Sequence, residues 1–274
     1  MCELFAMSSR VPSPVSYSLH EFASHGGKRF HNKDGWGIAF YQDRDGYLFK
    51  EPLPAANSAL VRLVEREKIP ARQVIAHVRL ASVGEPRLEN THPFQRTKNG
   101  YTHYFAHNGG LSAYVQANDD PAIRDQMLGD TDSEYVFCDL LRRLRPAAEN
   151  TGRLNLADRF DIFSSFSGEM ANFGTANFLY CDGEALFVHA HERRHETPED
   201  IVAPAPPGLH LWTPPPASQP FHWKVKGAQI IDIDPQTILI ASVPLDDRDW
   251  KPLPKGTAIA IKDGKELFRT RTCD

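Results

Sequence analysis

The chain is poor in everything that would mark it for a membrane, a nucleic acid or a disulfide scaffold. No apolar run approaches the roughly 20 residues that a bilayer-spanning helix needs. The first residues lack a basic segment followed by an apolar one, which argues against a secretory or lipoprotein leader. Lys and Arg supply 31 of 274 residues, scattered through a chain of net charge −4, so no basic stripe can track a phosphate backbone. The four cysteines, at positions 2, 138, 181 and 273, form no C-x-x-C pair. That spacing suggests neither a disulfide framework nor a zinc site. Internal repeats and low-complexity tails are also missing. These absences lead us to expect a cytoplasmic protein with no metal, no other cofactor, and neither a nucleic acid nor a membrane as partner.

What is there suits a folded domain. Hydrophobic residues make up 41% and charged ones 24%, ordinary values for a globular chain. Residues Trp36 to Tyr41 and Tyr47 to Lys50 read as strands about a turn, and Val74 to Leu80 and Thr102 to His107 as buried strands. Asn57 is a candidate cap for a helix over Ala59 to Glu67, with Leu60, Leu63 and Val64 on one face. Thr131 and Glu134 form a capping-box pair that opens a helix through Val136, Leu140, Leu141 and Leu144, where Cys138 reads as a buried structural thiol. A further helix is expected from Asp158 to Phe173. Strands then dominate: Asn177 to Tyr180 and Ala185 to Val188 about Cys181-Asp182-Gly183-Glu184, followed by Ile230 to Ile233, Thr237 to Val243 and Thr257 to Ile261 before the turn Lys262-Asp263-Gly264-Lys265. Eight of the 21 prolines fall between Pro198 and Pro220, read as a long ordered loop inside one domain spanning 1–274. Strand-rich ends around central helices indicate an α+β fold, two mainly antiparallel sheets with helices packed outside them.

The chemistry begins at Cys2. Removal of Met1 would leave a cysteine carrying both a thiol and a free α-amine, with reference pKa values of about 8.5 and 8. A nucleophile and its own base would then sit in one residue; otherwise Cys2 is an incidental cysteine at a frayed end. Four segments decide how much weight that carries. In Ala76 to Ser82, Arg79 can grip a carboxylate with two parallel bonds and Ser82 can add a third donor, unless Arg79 is simply paired at the surface. In Tyr104 to Leu111, the Asn108 amide and the Gly109 N–H can both face a developing oxyanion, although the Asn-Gly pair by itself favours a tight turn. Asp132 in Thr131-Asp132-Ser133-Glu134 either receives an ammonium group or merely opens a helix. Asn90-Thr91-His92-Pro93-Phe94 and Lys33-Asp34-Gly35-Trp36-Gly37 read as shaped loops, with His92 in structural support.

Taken in order, Cys2, His77 to Ser82, Thr91 to Phe94, Ala106 to Gly110 and Thr131 to Glu134 resemble the motifs of class II glutamine amidotransferase domains. The likeness is nearest to stand-alone bacterial members that begin Met-Cys-Glu-Leu and carry an Asp-Gly-Trp-Gly segment like Asp34 to Gly37. It extends to Ala241-Ser242-Val243-Pro244-Leu245, like their late strand. The resemblance implies a four-layer αββα N-terminal-nucleophile fold and a glutamine-hydrolysing site that works through a Cys2 γ-glutamyl thioester. It matches Cys2 to the nucleophile, its α-amine to the base, and Asn108 and Gly109 to the oxyanion hole. Arg79, Ser82, Asp132 and Gly110 fall on the substrate-binding positions, Arg79 at the α-carboxylate and Asp132 at the α-ammonium. Ser82 stands where larger relatives usually carry Thr, and Val83 where the sugar-phosphate amidotransferases carry His. The amidotransferase-like region absorbs the whole length, so a separate ammonia-accepting synthetase is the expected partner. The alternatives are a hydrolase of another γ-glutamyl amide and a catalytically idle binding module. His189, His191 and His195 cluster without a familiar metal spacing and read as a solvated strand end.

Overall fold

The computed structural model describes residues 2–17, 34–55, 58–81, 83–145, 152–195, 203–215, 221–225 and 228–271. Among them two antiparallel sheets lie face to face. The first holds β1 (Glu3–Tyr17), β2 (Trp36–Gln42), β3 (Asp45–Glu51), β4 (Pro70–Val78), β9 (His210–Trp212), β12 (Thr237–Ala241) and β13 (Lys251–Pro252), in the order β13-β9-β12-β1-β4-β2-β3. A ribbon of β10 (Phe221–Val225) and β11 (Ala228–Ile233) joins it along the far end of β1. The second sheet has β5 (Phe94–Lys98), β6 (Tyr101–Gly110), β7 (Thr175–Cys181), β8 (Leu186–Ala190), β14 (Thr257–Lys262) and β15 (Lys265–Arg271), in the order β15-β14-β8-β7-β6-β5.

Side-chain alternation sorts the apolar residues into three layers. Leu4, Ala6, Ile75, Tyr104, Ala106 and Leu179 meet between the sheets. Phe5, Met7, Val74, Ala76 and Val78 face outward beneath α1 (Ala59–Glu67). Phe105, Phe178 and Phe187 pack outward against α4 (Asp132–Arg143) and α5 (Leu156–Ala171). Two short helices, α2 (Ser112–Ala117) and α3 (Pro121–Arg124), connect β6 to α4. The result is the expected α+β arrangement of paired sheets with helices outside.

Several local expectations need correction. The first strand is absent from the sequence reading because Ser8, Ser9, Arg10, Pro12 and Pro14 break any apolar alternation; pairing with β4 and β12 supplies the order, with a register shift between Ser8 and Ser13. Helix α1 is capped by Ser58, whose side chain accepts from the Val61 N–H; Asn57 lies outside the described residues. Its buried face carries Val61 and Val64, whereas Leu63 is exposed. At α4 Thr131 Oγ1 accepts from the Glu134 N–H at 3.2 Å, but the Glu134 carboxylate turns to the Leu128 and Gly129 N–H groups, so only half of the capping box forms. The proline-rich stretch is not simply a loop: it contains β9, which pairs with both β12 and β13.

His189 and His191 are buried rather than solvated; His189 Nδ1 lies 2.6 Å from the Ala176 carbonyl. Among the described residues no group of three or more His, Cys, Asp or Glu side chains is arranged to hold a metal, and no helix is long and apolar enough to cross a membrane. Cys138 is buried in α4, and burial raises its thiol to about 11. Cys181 closes β7 just before the Asp182-Gly183 turn, while Cys273 lies outside the described residues.

Candidate active site

Strand register brings the candidate site residues to one end of the inter-sheet layer. In the antiparallel pairing of β1 with β4, Leu4 faces His77 and Glu3 faces Val78, so the next step sets Cys2 beside Arg79. The side chains at 4 and 6 in β1, at 75 in β4, and at 104 and 106 in β6 all point between the sheets. Continuing each alternation turns Cys2, Arg79 and Asn108 to that same layer. Asn108 and Gly109 are not a turn: β6 runs on through Gly110, with Asn108 opposite Asn177 on β7. Gly109 is required there because a Cβ would lie 1.8 Å from the Thr175 carbonyl and 2.5 Å from His107 Nε2.

Cys2, Arg79, Gly109 and Asp132 line one cleft of about 30 Å3. Cys2 Sγ lies 3.1 Å from both the Leu80 N–H and the Leu80 carbonyl. Burial raises the thiol above its ordinary pKa, and the Leu80 N–H and Arg79 pull the other way. Asn108 spans the two sheets, its Nδ2 donating to the Cys2 carbonyl at 2.8 Å. Gly110 donates its N–H to Thr175 Oγ1 at 3.1 Å. Ser82 lies outside the described residues.

Arg79 is almost fully buried, and its guanidinium donates to the carbonyls of Asp34, Val83, Gly84 and Glu85 at 2.9 to 3.4 Å. Burial lowers its pKa, and no carboxylate among the described residues forms an ion pair with it at 4 Å or less. Asp132 begins α4, where Oδ2 accepts from the Leu111 N–H at 2.6 Å and lies 3.3 Å from Ser112 Oγ. The carboxylate is therefore aimed at the connection leaving β6 and still opens on the cleft.

Two residues contribute more than the sequence reading assigned them. Asp34 Oδ2 accepts from the Ala81 N–H at 2.9 Å, and Arg79 N donates to the Gly35 carbonyl at 2.8 Å. The Asp-Gly-Trp-Gly segment thus holds the strand end that carries Arg79. Gly37 packs where a Cβ would lie 2.3 Å from the His92 carbonyl, next to the cis His92–Pro93 bond. His107 is the second. Its ring links β6 to β7 and to α4, with Nε2 2.9 Å from the Thr175 carbonyl and Nδ1 2.8 Å from Ser133 Oγ. The only sequence signal for it was its place before Asn108-Gly109.

His92 has the supporting place expected of it: buried, its ring centroid 4.3 Å from those of both His77 and Phe94, at the cleft wall. Burial, assisted by Arg79, drives His77 down to about 3 and His92 well below its ordinary value. Burial therefore disfavours the charged form of both rings.

A family model described as "Glutamine amidotransferases class-II" matches residues 1–273. The chain belongs to the class II glutamine amidotransferase family. It is 37% identical over 195 residues to the putative glutamine amidotransferase YafJ of Escherichia coli K12, covering 71% of this chain and 75% of that one. It is 30% identical over 272 residues to the uncharacterized protein MJ1515 of Methanocaldococcus jannaschii, covering 99% of this chain and 72% of the other. The 2.0 Å crystal structure of a predicted glutamine amidotransferase from Pseudomonas aeruginosa superposes with a TM-score of 0.69 at 28% identity, over 97% of this chain and all of that one. The glutamine phosphoribosylpyrophosphate amidotransferase of Bacillus subtilis shares the fold, with a TM-score of 0.60 at 16% identity over 99% of this chain and 49% of its own.

Proposed function

We propose that this family member hydrolyses the side-chain amide of glutamine, or of a close γ-glutamyl amide, through a thioester on Cys2. With Met1 removed, the Cys2 α-amine takes the thiol proton, directly or through water, and the thiolate attacks the Cδ carboxamide. The Asn108 amide and the Gly109 N–H stabilise the tetrahedral oxyanion, a contribution worth about 2.7–4 kcal/mol per donor. The C–N bond breaks as the α-ammonium returns a proton to the nitrogen, ammonia leaves, and water cleaves the γ-glutamyl thioester to glutamate. Arg79 holds the α-carboxylate in place of the main-chain carbonyls it now serves, and Asp132 holds the α-ammonium group. Burial raises the thiol pKa, and a base beside the sulfur, here the α-amine, offsets that by taking its proton. Released ammonia goes to a separate synthetase.

One observation carries this reading: a thiol, a guanidinium that meets no ion-pair carboxylate among the described residues, a backbone glycine and a carboxylate, from four distant stretches of chain, line a single cleft. The test is mass spectrometry of the mature amino terminus together with glutaminase kinetics and labelling by a diazo-ketone analogue of glutamine. Processed protein should be labelled at Cys2 and should release ammonia, and Cys2→Ala should lose both. Turnover that survives in Cys2→Ala would overturn the nucleophile. Labelling at Cys2 without glutamine turnover would shift the substrate to another γ-glutamyl amide.

A further inference from the structure

We propose that Asn90 is a positioning residue: it ties the loop that cradles Arg79 to the turn that leads into Asp132, and so sets the span between the seats for the substrate's α-carboxylate and α-ammonium groups. The inference rests on the reading just given and deepens it, because a fixed span favours γ-glutamyl compounds that carry both charged ends.

Arg79 follows β4 in the first sheet, and Asp132 opens α4 outside the second. Strand register within either sheet therefore does not set the distance between them. Asn90 ends the short 3-10 turn Leu88–Asn90, is completely buried, and does not itself line the cleft. Its Nδ2 donates to the Glu85 carbonyl at 3.1 Å and to Asp130 Oδ1 at 2.8 Å, while its Oδ1 accepts from the Asp130 N–H at 3.1 Å. The Glu85 carbonyl can only accept and the Asp130 N–H can only donate, so these partners fix which way the amide points. Both of its protons are used, one toward each side of the cleft.

On the first side the Glu85 carbonyl is shared. Arg79 Nη1 donates to it at 3.2 Å, and Nη2 donates to the Val83 and Gly84 carbonyls, each at 2.9 Å. On the second side Asp130 stands two residues before Asp132, and Arg87 donates to its other carboxylate oxygen. Two glycines admit the amide between loop and turn. A Cβ on Gly84, where φ is +72°, would lie 2.9 Å from Asn90 Nδ2, and one on Gly129 would lie 2.2 Å from Asn90 Oδ1. When Arg79 turns to a carboxylate, the Glu85 carbonyl loses the guanidinium but keeps Asn90. The loop then holds its place relative to α4 while the guanidinium is in use, which a loop held by Arg79 alone would not do.

Three ligands test this: glutamine, glutaramate, which lacks the α-amine, and γ-aminobutyramide, which lacks the α-carboxylate, each followed as a substrate or a competitive inhibitor. Asn90→Ala should raise KM for glutamine about tenfold, the order of one bond to a charged group, with kcat within about twofold because the oxyanion donors stand on β6. The constants of the two single-ended compounds should move by no more than about twofold, since each uses one seat and is indifferent to the span. Asn90→Asp keeps the volume and the acceptor for the Asp130 N–H but loses both donors, and should show the same split. Equal rises for all three compounds, or none, while Cys2-dependent turnover persists, overturn the role of Asn90 and leave the hydrolase reading intact. A parent protein that neither labels at Cys2 nor binds glutamine overturns that reading, and this inference with it. The side-chain amide resonances of Asn90 in the full chain need no variant: saturating glutamine should shift the proton that Asn90 gives to Glu85, and an unmoved signal overturns the proposal.

Discussion

At one end of β4 the Arg79 guanidinium meets four main-chain carbonyls and, among the described residues, no carboxylate within ion-pair distance, whereas at the other end of the same strand Arg72, Arg153, Arg159 and Lys262 each meet a carboxylate. There Gln73 Nε2 reaches the Glu184 carbonyl, Arg153 and Arg159 each approach Asp182 at 2.8 Å, and Arg159 and Lys262 both hold Glu184. Asp182 is fully buried, and its Oδ1 also accepts the N–H groups of Glu184 and Ala185 that shape the hairpin. One end spends its charges on the fold; the other keeps a buried guanidinium with no ion-pair carboxylate among the described residues, beside a buried thiol and buried histidines. Such imbalance destabilises a fold and is found where a ligand is meant to supply the missing charge.

The widest gap between the two ends should appear on substitution. Asp182→Ala removes the partner of two arginines, one of them almost wholly buried, and should cost about 3–5 kcal/mol in urea unfolding while leaving glutamine kcat/KM within about twofold. Arg79→Lys keeps the charge but loses the planar fork, and should lower kcat/KM about 100-fold. If Asp182→Ala reduced turnover as strongly as stability, the division between the ends would fail.

Acid should separate them next. A histidine kept neutral by burial loses stability for the fold as pH falls, because the unfolded chain binds its proton near 6.5 and the folded chain does not. For His77 that loss starts as pH drops through 6.5 and runs on toward about 3. Glu184 loses stability in the same direction but over a lower window. Burial works against its ionisation, but Arg159 and Lys262 hold it at about 2, so its contribution is complete above 4.5 and disappears only below that. Between pH 6.5 and 4.5 the slope therefore belongs to the histidines, about 1.4 kcal/mol per pH unit for each. Urea unfolding at pH 7, 6 and 5 should show a falling stability, and His77→Gln should reduce the slope by one proton. An unchanged slope in that variant would place the protonation elsewhere.

The same contrast explains what the sequence could reveal. Candidate site residues stand out by their chemistry, so Cys2, Arg79, Asn108 and Asp132 are visible as types in an order, and β2, β4 and β6 are visible because each alternates or is wholly apolar. What escapes is whatever depends on a partner far along the chain. Asn108-Gly109 looks like a turn because the turn signal is local, whereas the strand continues only through pairing with β7. Strand β1 has two prolines and a polar middle, and its order comes from β4 and β12. His189 reads as part of a solvated strand end but is buried in the sheet, with its Nδ1 against the Ala176 carbonyl.

The smallest effect is the sharpest comparison. Thr131 caps α4 at the cleft end and Ser58 caps α1 outside the other sheet, each through a side-chain oxygen that accepts a main-chain N–H. Thr131→Ala and Ser58→Ala should each cost about 1 kcal/mol, since the lost bond is the same in kind. Their consequences for turnover should differ. Thr131 fixes the first turn on which Asp132 and Ser133 stand, so its loss should raise KM for glutamine about threefold, an allowance for a loosened ammonium seat. Ser58 has no such dependant, and its variant should keep the parent KM. Equal KM values in the two variants, at equal loss of stability, would mean that the helix start holds Asp132 in place without its cap, and that the order at the cleft end comes from the Leu111 N–H and His107 instead.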